Sequence, residues 1–303
     1  MYLITGGAGF IGSNLADALD PKETIIIDDL SNGKLSNINH LVKKGLDFRK
    51  KDIAEINSSD MKDISVIFHE AALVSVPLSF SNFEKTYKDN VSSFVRILEL
   101  ARKHDVERVV FASSAAIYET SGMPVSEDDM ISPKSPYAES KLIDELYARI
   151  YYEEYGMKIV PLRYFNVYGP RQDPSSPYSG VISIFISRMT ENKEVTIYGN
   201  GNQIRDFVYV EDVVNANLLS LKLNNNFAEP MNIASGKPTS ILELFSIIRE
   251  KTRYSKEPIF MENRKGDVDY SLANISKAKE LLNFYSKYSL ENGLEKTIHS
   301  LKA

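Results

Sequence analysis

The sequence predicts an α/β protein that contains a doubly wound parallel sheet and a smaller C-terminal α/β domain. Short runs rich in β-branched residues alternate with longer helical patterns, which is typical of βαβ units. The chain also opens with an apolar strand that runs directly into a glycine-rich turn and a helix. With 303 residues, the chain is long enough to form about two domains.

Each predicted strand is a short apolar or β-branched run bounded by polar or turn residues. The strands are predicted at Tyr2–Thr5, Thr24–Asp28, Asp47–Arg49, Val66–His69, Val106–Ser113, Ile159–Arg163 and Met231–Ile233. Each predicted helix carries apolar residues at a spacing of three and four. The helices are predicted at Ile11–Leu19, Phe83–His104, Tyr137–Tyr155, Ile182–Glu191, Val210–Leu223, Ile241–Thr252, Ser276–Leu282 and Glu291–Leu301.

The composition changes near Tyr168, where Gly, Pro, Asp and Ser residues cluster through Gly180. Such a cluster is typical of a connection between domains. We therefore expect residues 1–167, with residues 206–233 returning to them, to form the first domain. Residues 168–205 and 234–303 are expected to form the second, substrate-binding domain.

The composition excludes several classes of function. The net charge of −5 disfavours nucleic acid and anionic membranes as partners. The absence of cysteine excludes disulfides and thiolate catalysis, and with only four histidines we expect no metal site. No apolar run is long enough to span a membrane, and a first strand at residue 2 leaves no room for a signal peptide. We therefore expect a cytoplasmic protein.

The glycine-rich turn predicts a dinucleotide-binding site. Gly6, Gly9 and Gly12 lie three residues apart, and Gly7, Gly9 and Gly12 also satisfy the pattern G-x-G-x-x-G. One glycine makes the tight turn, one lets the backbone approach a pyrophosphate, and one lets the helix pack against the strand. The alternative is a structural βα turn. The strand before and the helix after favour the dinucleotide site and a Rossmann-type sheet.

Acidic residues after the second and third strands predict contacts with the adenosine of a dinucleotide. Asp28 follows the glycines by about 20 residues, where a carboxylate can accept hydrogen bonds from ribose hydroxyls. A carboxylate there repels a 2′-phosphate, so it favours NAD over NADP. The alternative is a capping or turn aspartate. Asp52 and Ile53 could contact the adenine, although a plain turn explains Asp52 nearly as well.

Tyr137 and Lys141 form the pattern Tyr-x-x-x-Lys, which places both side chains on one face of a helix. A neighbouring ammonium favours the phenolate and would make Tyr137 a base near neutral pH. By itself the pattern is expected about once by chance in a chain of this composition. The context strengthens it, because Ser135-Pro136 begins the helix and Ser114 lies at the end of a predicted strand.

Together these motifs resemble those of the extended short-chain dehydrogenase/reductase family of nucleotide-sugar enzymes. Within that family the sequence is most similar to the UDP-glucose and UDP-N-acetylglucosamine 4-epimerases, and the similarity covers nearly the whole chain. The motifs that carry it are Gly6–Gly12, Asp28, His69–Ala72, Ser113-Ser114, Tyr137-x-x-x-Lys141, Arg163–Arg171 and Tyr198–Asp212.

The resemblance implies retained NAD as the cofactor, a UDP-sugar as the substrate, and a set of site residues. The catalytic residues would be Ser114, Tyr137 and Lys141. NAD would be bound by Gly6, Gly9, Phe10, Ile11, Gly12, Asp28, Asp29, Asn32, Gly33, Asp52, Ile53, Ala71, Ala72, Asn90, Lys141 and Tyr164. The UDP-sugar would be bound by Ser75, Ser114, Tyr137, Asn166, Val181, Tyr198, Arg205, Arg264, Asp267 and Ser271.

Two of these residues, Arg205 and Arg264, fit the diphosphate because a guanidinium matches phosphate oxygens. Without the resemblance, surface ion pairs would be the better explanation of both arginines. His69 ends a predicted strand, and we interpret it as a structural residue that orients the following loop rather than as a base.

Three positions bear on which reaction and which sugar the resemblance implies. Relatives that expel water or carbon dioxide carry acids where this chain has Ala115 and Ala116, so a dehydratase or decarboxylase is disfavoured. Ser271 aligns with a pocket wall where a bulky aromatic restricts relatives to glucose and galactose. A small serine favours 2-acetamido sugars as well, unless its side chain points away from the pocket.

Two alternatives to a UDP-hexose 4-epimerase stay open. One is another nucleotide-sugar enzyme of the same family, such as a UDP-glucuronate 4-epimerase, a dehydratase or a reductase. The other is a non-catalytic NAD-binding protein, which the intact set of Ser114, Tyr137 and Lys141 disfavours. The resemblance also implies a homodimer in which the long helices 83–104 and 137–155 pair across a two-fold axis.

Overall fold

The computed structural model describes residues 1–119, 122–174, 180–223, 229–263 and 268–302. Within these ranges the strands are β1 (Tyr2–Thr5), β2 (Thr24–Asp28), β3 (Asp47–Lys50), β4 (Val66–His69), β5 (Arg108–Ser114), β6 (Ile159–Tyr164), β7 (Asn166–Tyr168), β8 (Thr196–Tyr198), β9 (Ile204–Tyr209), β10 (Met231–Ile233), β11 (Pro238–Ser240), β12 (Ile259–Met261) and β13 (Tyr270–Ser271). The helices are α1 (Phe10–Ala16), α2 (Asn39–Val42), α3 (Val76–Ser81), α4 (Phe83–Thr86), α5 (Ser93–Lys103), α6 (Pro136–Tyr155), α7 (Val181–Thr190), α8 (Val210–Ser220), α9 (Ile241–Thr252), α10 (Ser276–Leu282) and α11 (Leu290–Lys302).

Among the described strands, seven form one parallel sheet in the order β10-β6-β5-β4-β1-β2-β3. The first strand therefore lies inside the sheet, and Tyr2 pairs in register with Thr24 on one side and Val66 on the other. The strand order reverses direction between β1 and β4. In open parallel sheets, ligands bind beyond the carboxyl ends of the strands at such a reversal.

Helices cover both faces of this sheet, as a doubly wound fold requires. Successive residues of a strand point to opposite faces, so Leu3 and Ile4 of β1 join two different core clusters. Ile4 packs with Leu15 of α1 and Val213 of α8, whereas Leu3 packs with Phe94 of α5. The predicted α/β class and doubly wound parallel sheet are therefore confirmed.

The helix predicted over residues 83–104 is present without a break through Lys103, and its middle part is π-helical. The segment consists of α4, a π-helical stretch at Tyr87–Ser92, and α5. Inside the π-helical stretch, the Asn90 amide binds the backbone N–H and carbonyl of Leu73 and the hydroxyl of Ser140. Apolar spacing cannot reveal a local widening of this kind, because the residues on either side keep a helical pattern.

Residues after β6 build two smaller sheets. Within the described ranges, β11, β9 and β13 form one sheet with β7 pairing to β9, and β12 pairs with β8. Helices α7, α9 and α11 pack around a core that contains Phe185, Phe245 and Leu294. The sequence analysis did not predict these strands, because they are short and lie among glycine and proline residues.

No helix in the described part of the chain combines the length and the apolarity that crossing a membrane requires.

Candidate active site

The candidate site lies at the carboxyl edge of the main sheet, where β1, β4, β5 and β6 end. Gly6 follows β1, and Glu70 follows β4. Ser114 and Tyr164 end the neighbouring strands β5 and β6 and pair in register. Parallel strands bring all of these ends to one edge, so residues distant in the sequence surround one crevice.

The glycine-rich turn needs glycine at Gly6 and Gly12, because neighbouring backbone atoms leave no room for a side chain at either position. Gly6 has a φ of 67°, and a Cβ atom there would lie 2.7 Å from the backbone nitrogen of Ala71. A Cβ atom at Gly12 would lie 2.4 Å from the carbonyl oxygen of Gly6. A bare backbone turn between β1 and α1 is what close approach of a pyrophosphate requires, so this turn fits NAD.

Asp28 is buried at the end of β2 and still has acceptor capacity for a ribose. Its Oδ2 accepts a hydrogen bond from the N–H of Ala8 at 2.9 Å, and its Oδ1 accepts one from Leu30 at 2.8 Å. Burial raises the pKa of Asp28, and these two backbone hydrogen bonds lower it. An ionised carboxylate has about four acceptor positions, so about two remain for hydroxyl donors. A Cβ atom at Gly33 would lie 2.7 Å from Asp28 Oδ1, which requires a glycine beside this carboxylate.

The other predicted contacts of the adenosine lie at the same end of the sheet. Asp29 and Asn32 are exposed in the turn after β2. The Oδ1 of Asp52 accepts a hydrogen bond from the N–H of Ala54 at 2.8 Å and caps a short 3-10 turn that begins at Ile53. Asp52 therefore has the turn role that the sequence analysis gave as the alternative. Its contact with adenine stays a prediction.

The turn that follows β5 begins at Ser114 and packs against α6, the helix that carries Tyr137. Ser114 Oγ accepts a hydrogen bond from the N–H of Ala116 at 3.1 Å. At the start of α6, the Ser135 hydroxyl accepts a hydrogen bond from the N–H of Ala138 at 3.1 Å. This cap and Pro136 place Tyr137 in the first helical turn, with a half-buried side chain.

Lys141 lies one helical turn after Tyr137 and is buried, with 1% of its surface exposed. Its Nζ lies 3.4 Å from Oδ2 of Asp144. Its charge also reaches the end of β4. There it adds to the effect of burial that lowers the pKa of His69, and it opposes the effect of burial that raises the pKa of Glu70. The ammonium of Lys141 therefore sits between α6 and the carboxyl end of β4, close to the reversal of strand order.

His69 has a structural role in this arrangement, as interpreted from the sequence. Its Nδ1 is 2.8 Å from the Thr5 hydroxyl, which joins β4 to β1. Burial, with a smaller contribution from Lys141, lowers the pKa of His69 to about 3. An imidazole with such a low pKa is neutral near pH 7 and is a weak base.

Glu70 was not singled out by the sequence analysis, although it lies inside the site. The hydroxyl of Tyr164 donates to Glu70 Oε1 at 2.8 Å and accepts a hydrogen bond from Asn217 at 2.7 Å. Burial raises the pKa of Glu70 to about 7, against the lowering effects of Tyr164 and Lys141. The available signal was a lone acid directly after an apolar strand.

A buried polar network fixes α6 against β5 and β6. The guanidinium of Arg163 binds both carboxylate oxygens of Glu145, at 2.9 and 2.7 Å, and donates to the Tyr118 hydroxyl at 2.7 Å. The Ser113 hydroxyl donates to the same carboxylate at 2.5 Å, next to Ser114 in the chain. Because Glu145 is on the helix of Tyr137, this network sets how the helix sits beside the end of β5.

The predicted substrate residues lie mainly where the smaller sheets approach this edge. Arg205 of β9 and Ser271 of β13 pair in register, so their side chains project from the same face. Ser75 caps α3 by accepting a hydrogen bond from Leu78 at 3.1 Å and is 3% exposed. Arg264 and Asp267 lie outside the described residues. The half-buried members of the predicted set are Ser114, Tyr137, Asn166, Val181, Tyr198, Arg205 and Ser271.

Two further findings concern the remaining expectations. Ala115 and Ala116 directly follow Ser114, so the turn after β5 begins without an acidic side chain. Within the described ranges, no three His, Asp or Glu side chains are grouped so that they could hold a metal ion.

Comparisons with known proteins agree with this geometry. Residues 2–234 match the model of the NAD dependent epimerase/dehydratase family. The chain is 42% identical over 307 residues to a putative UDP-glucose 4-epimerase of Methanocaldococcus jannaschii, covering 100% of this chain and 98% of that one.

Two solved structures are similar over almost the whole chain. A UDP-N-acetylglucosamine 4-epimerase from Methanobrevibacter ruminantium, in complex with UDP-N-acetylmuramic acid, has a TM-score of 0.95 at 37% identity and covers 99% of this chain and 97% of its own. A UDP-glucuronic acid 4-epimerase from Bacillus cereus, in complex with UDP-glucuronic acid and NAD, has a TM-score of 0.92 at 32% identity. The similarity covers 99% of this chain and 98% of the Bacillus chain.

Proposed function

Because the chain belongs to the NAD-dependent epimerase/dehydratase family, whose relatives named above are UDP-sugar 4-epimerases, we propose that it is a UDP-hexose 4-epimerase. The proposed reactions interconvert UDP-glucose with UDP-galactose, and UDP-N-acetylglucosamine with UDP-N-acetylgalactosamine, through a transient 4-keto sugar. The observation that carries the proposal is the placement of Tyr137 and Lys141 on α6 beside the turn that begins at Ser114.

In the proposed mechanism Tyr137 acts as the base. The Lys141 ammonium, one helical turn away, favours its phenolate, which takes the proton from the sugar 4-hydroxyl. Ser114 holds the 4-oxygen in line with the phenol. When bound in the glycine cradle, NAD supplies the reversible oxidation of carbon 4. Tyr137 then returns the proton to the 4-oxygen after the sugar has turned. Because the oxidation of carbon 4 is reversed within the same turnover, the reaction has no net redox change and the cofactor is retained.

The same proposal assigns the cofactor to one part of the chain and the UDP moiety to the other. Residues 1–167 with 206–233 hold the cofactor, and residues 168–205 with 234–303 hold the UDP moiety. Arg205 binds the diphosphate, because a guanidinium is a fixed fork that matches phosphate oxygens. Asn166, Val181 and Tyr198 line the nucleotide; the half-burial of these side chains supports a role in contacting a ligand.

Product analysis tests the proposed function directly. The purified protein is incubated with UDP-glucose, UDP-N-acetylglucosamine and UDP-glucuronate side by side, and the sugar products are identified. We expect the galacto epimers of the first two. An epimer of UDP-glucuronate alone would assign the protein to the uronate enzymes, to which it is also similar. A 4-keto-6-deoxy product would contradict the interpretation of Ala115 and Ala116.

Ser271 leaves room for the 2-acetamido group, and this assignment gives a specific prediction. Its neighbour in register is Arg205, so a residue at position 271 faces the proposed sugar-nucleotide side. Ser271→Tyr is expected to lower kcat/KM for UDP-N-acetylglucosamine at least about tenfold more than kcat/KM for UDP-glucose. The measurement is the ratio of the two kcat/KM values, with Ser255→Tyr at an exposed position as control. An unchanged ratio would show that Ser271 points away from the sugar.

We also propose that the protein is a homodimer formed through the helices of residues 83–104 and 137–155. A shallow apolar groove between them is lined by Phe83, Tyr87 and Ile143, among others. The apolar face continues along α6 through Leu146 and Ile150, which are 43% and 47% exposed. Residues spaced three and four apart share one helix face, so these side chains form a stripe that a second copy could cover.

Ile150→Asp is expected to convert the dimer into a monomer, because it places a charge in the centre of the apolar stripe. The measurement is sedimentation equilibrium at several protein concentrations. Lys103→Asp, at the exposed end of α5, serves as the control and is expected to leave the dimer intact. A monomeric unmodified protein would remove this interface.

A further inference from the structure

We propose that Asp144 is a positioning residue that weakens the field of Lys141 at Tyr137, and so sets the pH at which Tyr137 acts as a base. This inference rests on the proposed role of Tyr137 in the reaction. Asp144 was not singled out by the sequence analysis, and it acts through Lys141 rather than by touching the substrate.

The geometry of α6 carries the proposal. Tyr137, Lys141 and Asp144 are spaced four and three residues apart, so they follow one another along a single helix face. Side chains on a helix lean toward its N-terminus, so the Asp144 carboxylate reaches back toward Lys141. Its Oδ2 lies 3.4 Å from Lys141 Nζ. Along this face of α6 the functional groups therefore follow one another in the order phenol, ammonium and carboxylate.

The carboxylate of Asp144 is enclosed and incompletely bonded. Asp144 is 0% exposed, and its Oδ1 is a buried atom that has no hydrogen-bond partner among the described residues. A buried carboxylate in this state is unusual, because burial of a charge is costly unless the charge is paired. Lys141 is the paired cation, so the charge of each group depends on the charge of the other.

Among the described residues, three other titratable groups lie near Lys141 or Asp144, and each differs from Asp144 in its contacts. From the end of β4, His69 is held neutral by burial, and Glu70 accepts a hydrogen bond from Tyr164. On α6 itself, Glu145 lies beside Asp144 but is bound in both oxygens by Arg163 of β6. The acid in contact with Lys141 is therefore Asp144.

Burial raises the pKa of Asp144 to about 7, against the lowering effect of Lys141. When Asp144 is protonated, the full positive charge of Lys141 acts on Tyr137 and favours its phenolate. When Asp144 is ionised, it cancels part of that charge and disfavours the phenolate. The charge state of Asp144 thus changes how strongly Lys141 can stabilise a phenolate at Tyr137.

Asp144→Asn removes the negative charge while keeping the shape of the side chain and an oxygen near Lys141. The phenolate of Tyr137 is expected to form at a pH lower by about half a unit to one unit. The measurement is ultraviolet difference absorbance of the NAD-loaded protein across pH. Each variant is compared with its own Tyr137→Phe counterpart, so that the difference reports this phenol alone.

This readout needs no substrate, so its outcome is separate from the outcome of the product analysis. The acidic limb of the pH profile of kcat/KM is expected to move in the same direction where turnover is measured. Glu280→Gln, which removes one exposed carboxylate from α10, is the matched control and is expected to leave the titration unchanged.

Three results would overturn the proposal. The first is an unchanged or upward-shifted titration of Tyr137 in a folded Asp144→Asn protein that retains NAD. The second is a shift of equal size in Glu280→Gln. The third concerns folding: Asp144→Ala provides a second variant, and if neither it nor Asp144→Asn folds, Asp144 is a structural partner of Lys141 and has no tuning role.

Discussion

Tyr137→Phe is expected to lower kcat for epimerisation by at least about a thousandfold while the fold and the bound NAD are retained. The substitution removes only the hydroxyl, and general-base catalysis contributes about 10² to 10⁴ in rate. In the proposed mechanism the phenol also orients the 4-oxygen together with Ser114, so the loss is expected in the upper part of this range. The measurement is the initial rate of product formation from UDP-glucose and from UDP-N-acetylglucosamine.

The control for this variant is Tyr285→Phe, which removes the hydroxyl of a tyrosine that is 55% exposed. It is expected to leave the rate within about twofold of the unmodified protein, since surface substitutions usually have small effects. Circular dichroism and the absorbance of bound cofactor show whether Tyr137→Phe is folded and loaded. A folded, loaded Tyr137→Phe protein that keeps a tenth of the rate would refute Tyr137 as the base.

Arg163→Met is expected to lower the free energy of unfolding by about 3 to 5 kcal/mol, the largest change in stability that we predict. Arg163 is 2% exposed and binds both oxygens of Glu145. Its removal leaves a buried carboxylate without its cation, and it also removes a donor from the Tyr118 hydroxyl. The measurement is chemical denaturation of the purified protein, followed by circular dichroism.

Two controls separate this effect from a general loss of charge. Arg149→Met breaks an exposed ion pair with Glu153, whose nearest atoms are 3.8 Å apart, and is expected to cost less than about 1 kcal/mol. The double variant Arg163→Met with Glu145→Met replaces the buried pair by apolar groups and is expected to recover part of the loss. An Arg163→Met protein as stable as Arg149→Met would show that the pair contributes little.

The sequence analysis was most successful where the evidence was local. The Gly6–Gly12 turn, Asp28 and the pair Tyr137 and Lys141 were each recognisable from spacing, and the resemblance joined them into one family pattern. The predicted family and NAD cofactor are confirmed, since residues 2–234 match the family model and an NAD complex is among the similar structures. The individual site residues and the choice of sugar stay predictions.

The analysis was weaker where function depends on packing. The helix predicted over residues 83–104 contains a π-helical stretch, because Asn90 binds Leu73 and Ser140 from distant parts of the chain. In the sequence, nothing distinguishes Asp144 from the other polar residues of an amphipathic helix. Only the packed structure shows that it is fully buried beside Lys141.

By itself, the sequence determined the seven strands of the main sheet and the longer helices, the nucleotide-binding turn and the spacing of the phenol and the ammonium. These features depend on neighbours within about one or two helical turns or one βα unit, so their signal is local. The tertiary structure decided which side chains meet at the carboxyl edge of the main sheet. It also decided the charge environment of Lys141, with His69 and Glu70 on β4 and Asp144 on α6. The physical reason is that burial and distance through space control the energy of a charge, and neither follows from position along the chain.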